Sequence, residues 1–189
     1  MKLPKDYNKN NPKILKQVSA DLEAEKPFHY LFQGDVGCGK TCLARIIKNH
    51  ILHDRIIDIN QADSLIQTAR KHYLEYLSLL SSDYSDRADA LDRLRRSIAH
   101  AEFIILDDLG DEKPGTDASH DYFAGIIEDR HDYIRKYEYT RTIITTNLDA
   151  QQFINTYGSR VFDRITELYT IMRFKPYSFR QEKSAIITG

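Results

Sequence analysis

Gly34-Asp35-Val36-Gly37-Cys38-Gly39-Lys40-Thr41 decides the reading of this chain. It fits G-x-x-x-x-G-K-[ST], the phosphate-binding loop. Glycines let the backbone curl so that successive N–H groups point at a phosphate. The expected cradle is Asp35, Val36, Gly37, Cys38, Gly39, Lys40, Thr41 and Cys42. The helix that follows adds the positive end of its dipole. Lys40 would place a charge on the β- and γ-phosphates, and the Thr41 hydroxyl would ligate Mg²⁺. The context agrees. Phe28 to Phe32 is aromatic and apolar, as a buried strand requires, and Leu43, Ile46, Ile47 and Ile51 recur at helical spacing.

Outward from the loop, apolar runs alternate with amphipathic segments. Asn11-Pro12 reads as a helix N-cap with proline at the first helical position, followed by Ile14, Leu15, Val18 and Leu22 on one face. Strands are expected at 55–59, 103–106 and 142–146, with a last one inside 168–174. Helices are expected over 62–80, 88–97, around 123–134 and around 150–156. This alternation predicts a three-layer α/β fold with a parallel sheet. Ligands in such sheets sit at the carboxyl ends of the strands.

Two further strands end in polar residues suited to phosphate chemistry. The run Phe103-Ile104-Ile105-Leu106 ends in Asp107-Asp108. A carboxylate there can support Mg²⁺, which gives Asp107 a metal role beside Thr41. Asp108 is then placed to orient or deprotonate an attacking water, with Glu112 as a rival. Aspartate has a shorter reach than glutamate, so hydrolysis is expected to be slow. Asn147 ends the strand 142–146, where its amide can bond both a γ-phosphate and the water. In Gly158 to Ile165, Arg160 and Arg164 lie four apart, on one face if helical. Either could be a surface arginine paired with Asp163 or an arginine finger reaching a neighbouring subunit's nucleotide. Arg180 could sense the γ-phosphate in its own subunit.

Composition narrows the partners. The net charge is −1, so no global basic field holds nucleic acid. Arg70, Lys71, Arg87, Arg93, Arg95 and Arg96 lie near Tyr73, Tyr76 and Tyr84, a pattern that could track single-stranded DNA. The tyrosines also fall on an apolar helix stripe, and the arginines alternate with Asp86, Asp89 and Asp92, as on a solvated helix. Chain length corresponds to one domain, and no apolar run of about 18 residues could span a membrane. Met1 to Asp6 lacks a signal peptide's apolar core. Cys38 and Cys42 read as two small buried thiols, which fits a reducing cytoplasm.

Taken in order, these phrases resemble the AAA+ ATPases, and among them the DnaC/DnaI-type helicase loaders and the IstB-type transposition helpers. The resemblance rests on Gly34–Thr41, Ile104–Lys113, Ile126–Arg130, Thr142–Leu148, Tyr157–Ile165 and Ser178-Phe179-Arg180, so it covers about residues 28–180. It implies a five-stranded parallel sheet of order 5-1-4-3-2 without a lid domain. It also implies ATP/ADP and Mg²⁺ as ligands. It gives Asp108 the position of a catalytic glutamate, Asn147 that of sensor 1 and Arg180 that of sensor 2. Arg164 matches the arginine finger, with Arg160 second. The implied partners are a replicative helicase, single-stranded DNA and further copies of the chain when ATP is bound. The expected organisation is an N-terminal segment with one helix (1–27), an ATPase core (28–182) and a tail (183–189). The loaders carry an extra N-terminal domain that grips the helicase, whereas 33 residues precede Gly34 here. Either a minimal or mobile-element version, or an ATPase fragment of a longer protein, would account for that. A P-loop small-molecule kinase and a non-hydrolysing nucleotide switch stay open. A kinase would yield a phosphorylated acceptor, and a switch would turn over no faster than a Lys40→Ala control.

Overall fold

The apolar runs become the strands of one parallel sheet. The computed structural model describes residues 11–53, 66–81, 86–112 and 117–176. In chain order the elements are α1 (Pro12–Glu23), β1 (His29–Gln33), α2 (Lys40–His53), β2 (Ile66–Thr68), α3 (Ala69–Leu80) and α4 (Arg87–Ala99). Then come β3 (Phe103–Leu109), α5 (Asp117–Lys136), β4 (Arg141–Thr146), α6 (Ala150–Tyr157), α7 (Ser159–Leu168) and β5 (Thr170–Arg173). The strand order is β2-β3-β4-β1-β5, with every neighbouring pair parallel, so the expected 5-1-4-3-2 sheet is present.

The central strands β1, β3 and β4 are buried along nearly their whole length, which is why they read as continuous apolar runs. Their side chains alternate between two cores. Tyr30, Phe32, Phe103, Ile105 and Ile143 pack on one face against Leu15, Val18 and Leu22 of α1 and Leu43, Ile47 and Ile51 of α2. Leu31, Ile104, Leu106 and Ile144 pack on the other against α3 to α7. Each fully buried Leu, Ile or Phe contributes about 1.5–3 kcal/mol, so two such faces hold the three layers together.

Three local expectations change, and a fourth falls outside the described residues. The strand at 55–59 lies outside the described residues. The helix expected over 62–80 begins only at Ala69, because Ile66–Thr68 pairs in parallel with Ile105, Leu106 and Asp107. Thr68 marks the boundary: its hydroxyl accepts from the Lys71 amide at 3.3 Å and caps α3. Pro12 does open α1, but the Asn11 side chain does not cap it. Its Oδ1 accepts instead from the Lys175 amide at 3.1 Å, tying the first helix to the end of the last strand. Finally, Cys38 is buried as expected, whereas Cys42 is exposed, because α2 turns Leu43 and Ala44 to the core instead.

Arg130 joins the elements at the amino ends of β3 and β4. It is 2% exposed, and no carboxylate is among its hydrogen-bond partners. Its Nε donates to Thr142 Oγ1 at 3.0 Å, Nη2 to the Arg141 carbonyl at 3.0 Å, and Nη1 to the carbonyls of Ala99 and Ala101. Burial pushes its pKa down to about 10, so it stays charged at neutral pH. One planar cation thus satisfies the end of α4 and the entries to β3 and β4.

Part of the candidate DNA patch is taken up by packing and ion pairs, while Arg70 and Lys71 stay exposed. Tyr73 is buried and Tyr76 half-buried in an aromatic cluster with Tyr122 and Phe123. Arg95 pairs with Asp129 at 2.6 Å and Arg96 with Asp92 at 2.9 Å, as on a solvated helix. Tyr84 lies outside the described residues.

Two histidines, His72 buried and His29 half-buried, make stability depend on pH. Burial lowers His29 to about 4, helped by the charges of Arg130 and Arg141. Burial alone lowers His72 to about 4. Both are neutral in the fold, while the unfolded chain takes up protons from about pH 6.5 downward. Their contribution is therefore complete above pH 6.5 and is lost as the pH falls toward 4. Each histidine should contribute a slope of about 1.4 kcal/mol per pH unit inside that window. Urea denaturation at pH 6 and pH 5 should show this fall, and His72→Asn should make it shallower. An unchanged slope would contradict a neutral, buried His72.

Candidate functional site

The loop and Asn147 follow β1 and β4, and the aspartate pair lies near the end of β3, all at the carboxyl edge of the sheet. The chain leaves β1 through Gly34, whose amide donates to the Thr146 carbonyl at 3.3 Å. Gly34 has φ +151°, and a Cβ there would lie 3.0 Å from Phe174 Cβ and 3.1 Å from its carbonyl oxygen. No larger residue fits between the loop and the end of β5. Gly37 and Gly39 also take positive φ, 85° and 100°, curling the loop into the start of α2 at Lys40. The first turn of α2 carries no acidic residue of its own, which leaves the positive end of its dipole to the loop.

Lys40 is 4% exposed. Its Nζ donates to the Gly34 carbonyl at 2.6 Å, the Asp35 carbonyl at 2.9 Å and Asn147 Oδ1 at 2.8 Å. The ammonium therefore joins the loop to the residue that ends β4. Beside it, burial raises the Cys38 thiol above its ordinary range, although Lys40 opposes this. Cys38 acts as loop packing.

Asp107 is 2% exposed, and its Oδ1 accepts from Thr41 Oγ1 at 2.8 Å and from Thr145 Oγ1 at 2.7 Å. A hydroxyl and a carboxyl oxygen, hydrogen-bonded at the mouth of the loop, are the hard donors that suit Mg²⁺. Thr145 also accepts from the Asp108 amide at 2.9 Å. Sequence reasoning took Thr145 for a β-branched strand residue, and nothing in its spacing distinguishes it from Thr142 or Thr146.

Asp108 has φ 57°, in the left-handed region, and the pairing of β3 with β4 shifts between Leu106 and Leu109. Aspartate tolerates this conformation better than most residues, and such backbone is often found at working sites. The turn closes with Asp111 N–H donating to the Asp108 carbonyl at 3.1 Å. Glu112 is buried at 2% exposure, and its Oε1 accepts from Gly110 N–H at 2.9 Å and Tyr157 Oη at 2.7 Å.

Arg160 and Arg164 do lie on one face of α7, but Asp163 is not their partner. Arg160 is 74% exposed and pairs with Glu128 of α5 at 3.0 Å. Arg164 is 20% exposed; its Nη1 contacts Asp132 Oδ1 at 3.0 Å and the Glu128 carbonyl at 3.3 Å. His131 first, and then Arg164, hold the Asp132 carboxyl below its ordinary range. Arg180 lies outside the described residues. The structure thus brings together Asp35 to Cys42, Asp107, Asp108 and Asn147, and places Arg160 and Arg164 on a separate surface formed by α5 and α7.

No family model matches the chain, and no curated protein matches it. Solved structures do. The DnaC helicase loader superposes with a TM-score of 0.67 at 19% identity, over 91% of this chain and 100% of that one. Domain III of the Thermotoga maritima replication initiation protein DnaA gives 0.61 at 18% identity, over 97% of this chain and 73% of that one. The Aeropyrum pernix ORC1 protein, solved in complex with DNA, gives 0.56 at 19% identity, over 99% of this chain and 49% of that one. The chain therefore has the three-layer P-loop fold of DnaC and DnaA, the AAA+ fold that its motifs implied.

Proposed function

We propose that this chain is an ATP-binding AAA+ protein that loads or remodels a replicative DNA helicase, using slow ATP hydrolysis that depends on contact between subunits. The observation that carries the ATPase reading is the pair of contacts across the strand ends. Lys40 Nζ meets Asn147 Oδ1 at 2.8 Å, and Thr41 Oγ1 meets Asp107 Oδ1 at 2.8 Å. They unite four residue types that a polyphosphate site needs. The helicase reading rests on the likeness to the DnaC helicase loader over that chain's whole length. Cytoplasmic location and single-stranded DNA as a ligand belong to the same reading. A DnaA structure described as bound to AMPPCP and single-stranded DNA shares the fold at 14% identity and a TM-score of 0.62.

The chain's own groups divide the work. Loop amides and the amino end of α2 bind the phosphates, and Lys40 exchanges its carbonyl partners for phosphate oxygens. Thr41 and Asp107 would hold Mg²⁺, which supplies charge neutralisation at the phosphates. Asn147 orients the attacking water, and Asp108 accepts its proton as the oxygen bonds to the γ-phosphorus and the bond to the β-bridging oxygen breaks. Glu112 is turned inward to Tyr157 and leaves this role to the shorter Asp108, which makes turnover slow. Arg160 and Arg164 act on a neighbour's nucleotide, so a lone subunit holds an incomplete site.

Lys40→Ala should weaken ATP binding by about 100-fold or more, measured by titration calorimetry, because it removes the one buried cation of the loop. Normal affinity would sink the site assignment. Arg164→Ala should leave ATP affinity within about twofold and lower turnover at high protein concentration by about 100-fold. Unchanged phosphate release there would remove the arginine from the mechanism. The partner is tested by a pull-down from the source cell with and without ATP. A hexameric replicative helicase should co-purify in the ATP arm, and its absence from both arms would reject the loader reading.

A further inference from the structure

We infer that Glu112 is a positioning residue: it fastens the Asp108 turn to helix α7, so that the shape of a subunit's own phosphate edge sets how it offers Arg160 and Arg164 to a neighbour. The inference rests on the proposal that those arginines act between subunits.

The turn is clamped from two sides. Gly110 has φ +101°, and a Cβ there would lie 2.8 Å from Leu148 Cδ1 and Cγ, so the Leu148 side chain closes one side. Leu148 follows Asn147 directly, and its carbonyl accepts from Gln33 Nε2 at 2.8 Å. On the other side Glu112 folds back, and its Oε1 takes the Gly110 amide at 2.9 Å. The same oxygen takes the Tyr157 hydroxyl at 2.7 Å.

Tyr157 is the last residue of α6, and Gly158, with φ 90°, leads straight into α7. Its ring is buried against Phe153 at 4.9 Å and His120 of α5 at 5.8 Å. Burial, and then the Glu112 carboxyl beside it, push the phenol far above its ordinary range, so the hydroxyl keeps its proton and donates. The path from Asp108 to Arg160 thus runs through Gly110, Glu112, Tyr157 and Gly158, each joined to the next by a hydrogen bond or by chain.

Among the described residues, Glu112 Oε2 is buried with no hydrogen-bond partner. An unpartnered buried carboxyl oxygen lowers stability, so packing alone does not explain a glutamate here. Its other oxygen, Oε1, is already engaged by Gly110 N–H and Tyr157 Oη. What remains is its connection: it is the side chain that ties the Asp108 turn to the junction of α6 and α7. A movement of the turn when phosphate binds must either carry that junction with it or break one of the two bonds to Oε1.

The test compares Glu112→Gln, Tyr157→Phe and Arg164→Ala, singly and combined, by phosphate release across protein concentration, ATP affinity and melting temperature. Glu112→Gln and Tyr157→Phe should each lower maximal turnover about 5- to 10-fold while ATP affinity stays within about twofold. Adding either to Arg164→Ala should cause no further loss, since both act through the same helix. Additive losses would overturn the coupling, and so would wild-type turnover in a folded Glu112→Gln protein when Arg164→Ala is impaired. Full turnover in Arg160→Ala/Arg164→Ala would sink both this inference and the reading beneath it. If Glu112→Gln does not fold, Tyr157→Phe carries the test, because it keeps the ring and removes a single hydroxyl.

Discussion

One carboxyl oxygen, Asp107 Oδ1, joins three elements of the site. It accepts from Thr41 at the start of α2 and from Thr145 near the end of β4, while Asp107 itself lies near the end of β3. Parallel strands bring their carboxyl ends to one edge but do not fix how far each reaches. Two short hydroxyl bonds to one buried oxygen supply that measure. They hold the loop helix against the sheet, and Asp108, one residue on, takes a left-handed conformation. The arrangement that suits Mg²⁺ also sets the register of the edge.

The opposite edge solves a different problem. There α4 ends and β3 and β4 begin, leaving carbonyls that a buried position cannot give to water. Arg130 answers with a single side chain. An uncompensated buried charge is costly, yet a guanidinium that meets three carbonyls and a hydroxyl recovers much of that cost while pinning α5 to the sheet. Two polar hubs, an acid at one end and a base at the other, therefore frame an otherwise apolar sheet. The acidic hub faces the phosphate edge, and the basic one is sealed from solvent.

Periodicity and motif made the sheet and the phosphate edge legible. Gly34 to Thr41, Asp107-Asp108 and Asn147 carry side chains whose chemistry is unusual at the end of a strand, so they stand out against a plain pattern. Thr145, Tyr157 and Glu128 do not. A threonine in a strand, a tyrosine ending an amphipathic helix and a glutamate on a charged helix are each ordinary in their local setting. Their importance comes from partners 38, 45 and 32 residues away, 145 to 107, 157 to 112 and 160 to 128, which no local window contains. The segment at 66–68 was hidden for the reverse reason. A helical stripe downstream drew it in, while Thr68 offered a cap signal competing with its own strand propensity.

The two arginines of α7 differ in what releasing them costs. Arg160 is largely exposed and holds one half-buried carboxyl, a contact of the kind that contributes about 0–1 kcal/mol. Arg164 is mostly covered and bridges a carbonyl and a second carboxyl on α5, so freeing it breaks several contacts and loosens α7 from α5. A neighbour's phosphates would thus replace existing acidic partners on α5 and would not meet unpaired cations. Both partners sit on α5, the helix that also carries Arg130 and His120.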